Sequence, residues 1–254
     1  MNINNVIKIL DFLCPFSLAK FEHNGFLVNC QKKKIDRIAF TLGLSHESLK
    51  KAIKKKTDLL IVHNSPETLI GKGEYYDSLG LLAQKNNVGI FRLHLPLDFA
   101  TKGIIYQLCK MMNFNAKPIK LFYEGSTIYG GVYVSNEMTY LKAVIKKVEQ
   151  INPATLRIVN PQKKLFQKIA ITSGDGCKPE FLFQIKPDVF ICGLLNQEAI
   201  RIAKDLDITL IEATSYATEN EPLKSFVKYH GKDFLDSEVY FIDVKNDVLS
   251  YNRS

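Results

Sequence analysis

The chain has 254 residues, 46% of them hydrophobic and 24% charged, a balance that excludes disorder on a large scale and leaves room for one large domain or two small ones. Its formal net charge of +8 favours anionic partners such as nucleotides, nucleic acid or acidic lipid, or else serves solubility alone. Five cysteines, Cys14, Cys30, Cys109, Cys177 and Cys192, are odd in number and include no Cys-x-x-Cys pair, which excludes a disulfide framework and a zinc finger and fits reduced thiols in the cytoplasm.

In chain order, "MNINNVIKILDFLCPF" predicts an amphipathic helix with Val6, Ile7, Leu10 and Leu13 on one face. It lacks the early basic patch, apolar core and small-residue cleavage site of a leader. No apolar stretch approaches the ~20 residues of a membrane span, so no membrane association is expected. Ile35 to Leu44 reads as a buried strand, and Ser45 as the N-cap of "HESLKKAIKKK". "DLLIVHNSP" gives a strand that stops on His63. A helix from Tyr75 to Gln84 follows, then "VGIFRLH", a strand that ends on His94, then a helix from Gly103 to Met112.

Lys117 to Asn136 differs in character. Its Gly, Tyr and β-branched residues predict hairpins without a helix between them. Alternation then resumes with a strand to Ser173 and a glycine turn, "SGDGCK". The strand "PDVFICG" reaches Gly193 and precedes the helix "NQEAIRIAKDL". A strand from Ile208 runs into a polar loop at Thr214 to Glu219, followed by a helix from Pro222 to Tyr229 and a last strand, "EVYFIDV". The fold class is α/β: two similar lobes, residues 1–115 with the C-terminal strand and residues 151–254, around a β-rich segment at 116–150. The likeness of the halves is one of pattern, with no residue-level repeat legible.

Ligands of α/β sheets bind beyond the carboxyl ends of the strands. Three strands deliver metal-capable groups there: His63 with Asn64; His94 with Asp98 four residues on; and Glu219 after Ser215 and Tyr216. One imidazole and two carboxylates could hold a divalent metal. Taken singly, His63 also reads as a hydrogen-bonding strand end, Asp98 as the N-cap of the helix at Gly103, and Glu219 as part of a cap with Tyr216 or Thr218.

Together these segments resemble the Nif-three-like family, whose members are labelled GTP cyclohydrolase I type 2 homologues. "FEHNGFLVN" resembles its Asn-x-Gly-Leu stretch and "DLLIVHNSP" its Asp-Leu-Ile-Ile-x-His-His-Pro motif. "GIFRLHLPLD" resembles His-x-x-x-Asp, "PDVFICG" the strand Asp-Val-Tyr-Ile-Thr-Gly, and "EATSYATE" the motif Gly-His-Tyr-x-x-Glu. The resemblance implies a two-metal site in a cleft between two α/β lobes and a homo-oligomeric ring, commonly a hexamer built from dimers. It places His63, Asp98 and Glu219 as metal ligands; His94 matches the family's histidine before the aspartate and reads as supporting a ligand or facing substrate rather than as a ligand, with a proton shuttle as its candidate role in an enzyme. The chain departs from the pattern at Asn64 and Ser215, where the family has histidines, and at "GLLNQEA". Asn and Ser oxygens are weaker ligands than imidazole, so the resemblance leaves three outcomes: one weaker metal on His63, Asp98 and Glu219, an oxygen-rich Mg²⁺ or Mn²⁺ site, or no metal.

Two functions are therefore expected as alternatives. One is a metal-dependent hydrolase acting on a nucleotide-like or phosphorylated substrate, with Zn, Fe, Mn or Mg as the divalent cofactor. The other is a non-catalytic oligomeric ring that binds nucleic acid or a protein partner through Lys32 to Lys34, Lys50, Lys51, Lys54 to Lys56 and Lys163 to Lys164. "SGDGCK" reads as a strand-to-helix turn or a phosphate-facing loop.

Overall fold

The structure is a computed structural model and describes residues 1–162 and 165–246. Lys163 and Lys164 of the expected basic surface lie outside the described residues. The helices are α1 (Ile3–Leu13), α2 (His46–Lys54), α3 (Glu74–Lys85), α4 (Leu95–Phe99), α5 (Ile104–Met111), α6 (Leu141–Val148), α7 (Pro179–Ile185), α8 (Gln197–Asp205) and α9 (Ser215–His230). The early strands are β1 (Gly25–Val28), β2 (Arg37–Gly43), β3 (Leu59–Asn64), β4 (Gly89–Arg92), β5 (Lys117–Tyr123), β6 (Ser126–Ser135) and β7 (Thr139–Tyr140). The later ones are β8 (Arg157–Val159), β9 (Leu165–Phe166), β10 (Ile169–Ile171), β11 (Val189–Cys192), β12 (Thr209–Glu212) and β13 (Glu238–Ile242). The described residues separate into two compact units, Met1–Ala100 with Leu223–Lys245, and Thr101–Pro222 with Asn246.

The first unit carries a sheet in the order β1-β4-β3-β2-β13, parallel except for β1 against β4. Strand β3 is apolar from Leu59 to Val62 and buried, as a parallel strand covered on both faces requires. Helix α2 starts where a side chain can satisfy its first amides: Ser45 Oγ accepts from the Ser48 amide while Ser48 Oγ accepts from the Ser45 amide. Leu49 and Ala52 of that helix pack with Leu79 and Ala83 of α3 on Ala39, Leu60 and Val62 of the sheet.

The second unit carries a sheet in the order β5-β6-β10-β11-β12-β8 and the small pair β7-β9. The hairpin of the β-rich segment forms one antiparallel edge of this sheet, where β6 pairs with both β5 and β10; β8 against β12 forms the other. Glu124 and Gly125, both at positive φ, make the two-residue turn of the hairpin.

A residue-level correspondence links the units. Asp58 Oδ2 accepts the amides of Asp36 and Arg37 at 2.8 and 2.9 Å, and Asp188 Oδ2 accepts those of Gln167 and Lys168 at 2.9 and 3.0 Å. Leu59 pairs with Gly89 and Val189 with Thr209 at the start of equivalent parallel ladders. The repeat escapes sequence reading because an aspartate that ties down a neighbouring strand's first amides is conspicuous only once the hydrogen bonds are known.

Two expectations need correction. The expected polar loop at Thr214–Glu219 is helical from Ser215 onward, since α9 begins there and contains Pro222. Proline suggested a helix start, but inside a helix its missing N–H and ring disturb the turn before it without ending this one. Asp98 does not cap the helix after Gly103; it lies in the short α4, and Gly103 itself occupies the N-cap of α5.

Candidate metal centre

The first unit brings His63, His94 and Asp98 together. Each offers one ligand atom, and these atoms lie within 4.8 Å of one another. His63 is the fifth residue of β3 and fully buried because the four preceding apolar residues carry it through the sheet's core. Its Nδ1 lies 3.3 Å from the Leu93 carbonyl and its Nε2 3.5 Å from Asp98 Oδ2. With Nδ1 carrying the proton toward that carbonyl, Nε2 holds the lone pair. His94 follows β4 at the N-cap of α4, which puts Asp98 one helical turn later on the same side. The two imidazole rings are 4.9 Å apart.

A second set of residues, not singled out from the sequence, holds this geometry. Glu22 Oε2 accepts from His94 Nδ1 at 2.9 Å and from Arg92 Nη2 at 3.1 Å. Glu22 Oε1 accepts from the Leu95 amide at 2.8 Å and from Asn24 Nδ2 at 3.1 Å, and Asn24 Oδ1 accepts the His94 amide at 2.9 Å. Arg92 also donates to the Ser65 carbonyl at 3.2 Å and to the His23 carbonyl. The available signal was Arg92 itself: a guanidinium inside the apolar run "GIFRL" demands a buried carboxylate.

The charges are mutually supporting. Burial works against ionisation of Glu22, but the His94 hydrogen bond and charge, with the Arg92 guanidinium, outweigh it and hold its pKa at about 2. Burial likewise favours neutral His94, yet the Glu22 hydrogen bond and the negative charges of Asp98 and Glu22 raise its pKa above the ordinary value. A carboxylate on Nδ1 fixes the tautomer and leaves Nε2 as the ligand nitrogen, a common arrangement behind metal-bound histidines. Two imidazoles and a carboxylate in a buried setting suit a first-row divalent ion.

Glu219 lies in the second unit, in the second turn of α9, and is 6% exposed. Gly174 makes room for it: a Cβ there would sit 2.2 Å from Glu219 Oε1, and φ is +50°. The Gly174 carbonyl accepts the amides of Gly193 and Leu194, both at 2.8 Å. Thr218 Oγ1 accepts the Gly174 amide at 3.1 Å. These bonds tie "SGDG", the end of β11 and the start of α9 into one block. Asn64 ends β3, and Ser215 opens α9. Among the described residues no helix is long and apolar enough to cross a membrane.

Comparison with known proteins agrees with this architecture. A protein named GTP cyclohydrolase 1 type 2 homolog from Methanocaldococcus jannaschii is 25% identical over 96% of this chain and 100% of its own length. One of the same name from Pyrococcus horikoshii is 28% identical over 89% and 92%. Among solved structures, reduced HcgD from Methanocaldococcus jannaschii has a TM-score of 0.80 at 22% identity, covering 96% of this chain and 98% of that one. Staphylococcus aureus protein SA1388 has a TM-score of 0.81 at 20% identity, covering 99% of both. The model of the Duf34/NIF3 (NGG1p interacting factor 3) family matches residues 1–248, and this chain belongs to that family.

Proposed function

We propose that this protein is a divalent-metal-dependent hydrolase acting on a nucleotide-like or phosphorylated substrate. The observation that carries the reading is the convergence of buried His63 and Asp98 with half-buried His94, their ligand atoms within 4.8 Å of one another. In this reading His63, Asp98 and Glu219 are the ligands expected from the family pattern, and His94 supplies a further imidazole rather than acting only as a proton shuttle. The relatives' name, GTP cyclohydrolase 1 type 2 homolog, supports a nucleotide as the first substrate class to screen. Such an ion supplies Lewis-acid chemistry, polarising a carbonyl or phosphoryl oxygen. The chain's own part is positional. Leu93 holds the His63 tautomer, while Glu22 holds the proton on His94 Nδ1 and so leaves Nε2 as the nitrogen that would face a cation.

The test is elemental analysis of untagged protein after exposure to Mn²⁺, Fe²⁺ and Zn²⁺, beside Asp98→Asn. Near-stoichiometric metal in the wild type and at least a tenfold weaker hold in the variant are expected. Equal loading of both proteins, or none in either, would sink the reading. The same proposal includes a cytoplasmic homo-oligomer, hexameric by family resemblance, which light scattering would measure; five free cysteines support a reducing location.

A second reading, a non-catalytic polyanion binder, is favoured by α2. Lys50, Lys51, Lys54, Lys55 and Lys56 are all exposed along one helix and its end. It predicts nucleic-acid binding that falls steeply with salt and survives Asp98→Asn.

A further inference from the structure

We propose that the second unit carries a separate binding site for a small phosphate-bearing anion, in the cleft between the start of β5 and the end of α7. The cleft measures about 770 Å³, within the size range of small-molecule sites. Its polar lining is Lys117, Lys120, Lys168, Asn115, Asn136 and Gln184, and no carboxylate contributes to it. Neither Lys117 nor Lys120 pairs with a carboxylate among the described residues. Three ammonium groups around an uncompensated cavity raise the local concentration of anions and leave the charge to be met by a ligand.

The walls are built. Gln184 is held at both ends of its amide: its Oε1 accepts the Phe122 amide and its Nε2 donates to the Phe122 carbonyl, each at 2.8 Å. Lys168 is half-buried, and its Nζ donates to the Ile185 carbonyl, which fixes the ammonium at the cleft. Leu121 and Val134 give a buried apolar floor. Lysines without arginine suit phosphate, met as a charge, better than carboxylate, which favours the planar guanidinium fork. The carboxamides and the apolar floor suit an uncharged portion attached to that phosphate, as in a nucleotide. The cleft is distinct from the block around Glu219. Lys168 stands just before β10 at its amino end, whereas Gly174 and Glu219 lie beyond its carboxyl end. The proposal therefore stands without the metal reading.

The experiment is calorimetric titration of the full-length protein in EDTA with ADP, pyrophosphate and citrate. The proteins compared are wild type, Lys117→Gln/Lys120→Gln, Lys168→Gln and Asp98→Asn. Thermal melts confirm that each variant is folded; Lys117 and Lys120 are exposed, so their double variant tests the idea even if Lys168→Gln fails to fold. ADP binding stronger than that of pyrophosphate is expected. It should weaken at least tenfold in the double lysine variant and persist in Asp98→Asn. Citrate binding as tightly as ADP would overturn the phosphate assignment. Absence of ADP binding at millimolar concentration, or binding indifferent to the lysines, would overturn the site. So would a double variant whose only change is self-association, because Lys117, Pro118 and Lys120 would then merely guard an edge strand.

Discussion

Replacing Glu22 with glutamine removes one negative charge and keeps the side chain's size. The carboxylate's pKa falls from 4.5 to about 2 in the folded protein, and the side chain is only 9% exposed, so solvent screens the interaction little. At about 1.4 kcal/mol per tenfold change in proton affinity, the drop corresponds to roughly 3 kcal/mol of stability. Glutamine can still accept from the Leu95 amide, and Arg92 keeps the Ser65 and His23 carbonyls. The expected loss at about pH 7 is therefore about 2–3 kcal/mol, at or below the range for an orphaned buried charge. A depressed carboxylate pKa stabilises the fold fully above its unfolded value of 4.5, and that contribution disappears as pH falls through about 2. Urea unfolding of wild type and Glu22→Gln at about pH 7 and about pH 2.5 measures both effects. The gap should narrow clearly at the lower pH. A gap below about 0.5 kcal/mol at neutral pH, or one that does not change with acid, would refute the charge network as drawn.

Two further predictions follow from the same geometry. Gly174→Ala should cost about 2–4 kcal/mol, because its Cβ would press on Glu219 Oε1 at 2.2 Å from a backbone at φ +50°. Gly125→Ala, at φ +70° with nothing within 4 Å, should cost only about 1 kcal/mol, and thermal melts of the pair separate contact from conformation. Metal affinity should fall with decreasing pH below the raised pKa of His94, by up to about tenfold per pH unit, because a cation at Nε2 would compete with the second proton of the imidazolium. Calorimetry in buffers of different ionisation heat counts the protons released, and a pH-independent affinity would remove His94 from the ligand set.

What could be read from the sequence was local. Ser45 before an apolar-periodic run is a helix start wherever it occurs, and "LLIV" before His63 has the composition of a strand covered on both faces. The family motifs added positions for Asp98 and Glu219. Two kinds of feature stayed hidden. One was the α9 start, where Thr214 Oγ1 accepts the Ala217 amide at 3.3 Å and the helix runs on through Pro222; proline's usual place at a helix's first turn pointed to a later beginning. The other was long-range charge pairing. Glu22 and Arg92 stand 70 residues apart, and hydrophobic periodicity carries no information on which buried cation meets which buried anion.

The repeat within the chain explains why the imidazoles gather in the first unit. Counting from the matched pairs Gly89 and Thr209, Arg92 corresponds to Glu212, His94 to Thr214, Leu95 at the start of α4 to Ser215 at the start of α9, and Asp98 to Thr218. Counting from Asp58 and Asp188, His63 corresponds to Gly193. Both units place an ion pair at the equivalent strand end with the signs exchanged: Arg92 with Glu22, both buried, and buried Glu212 with the half-exposed Arg157 at 3.0 Å. At the position of His63 the second unit admits no side chain. A Cβ on Gly193 would meet Thr218 Oγ1 at 2.5 Å, Ser215 Cα at 2.7 Å and the Gly174 carbonyl at 2.8 Å. The packing that closes this corner also brings Gly174 against Glu219 one residue past the Asp98 equivalent. The same strand–helix frame thus gives imidazoles and a carboxylate in one copy and a glycine-packed glutamate in the other. The ligand set proposed for the metal is therefore asymmetric because the backbone of the second copy occupies the space that the first copy leaves for His63.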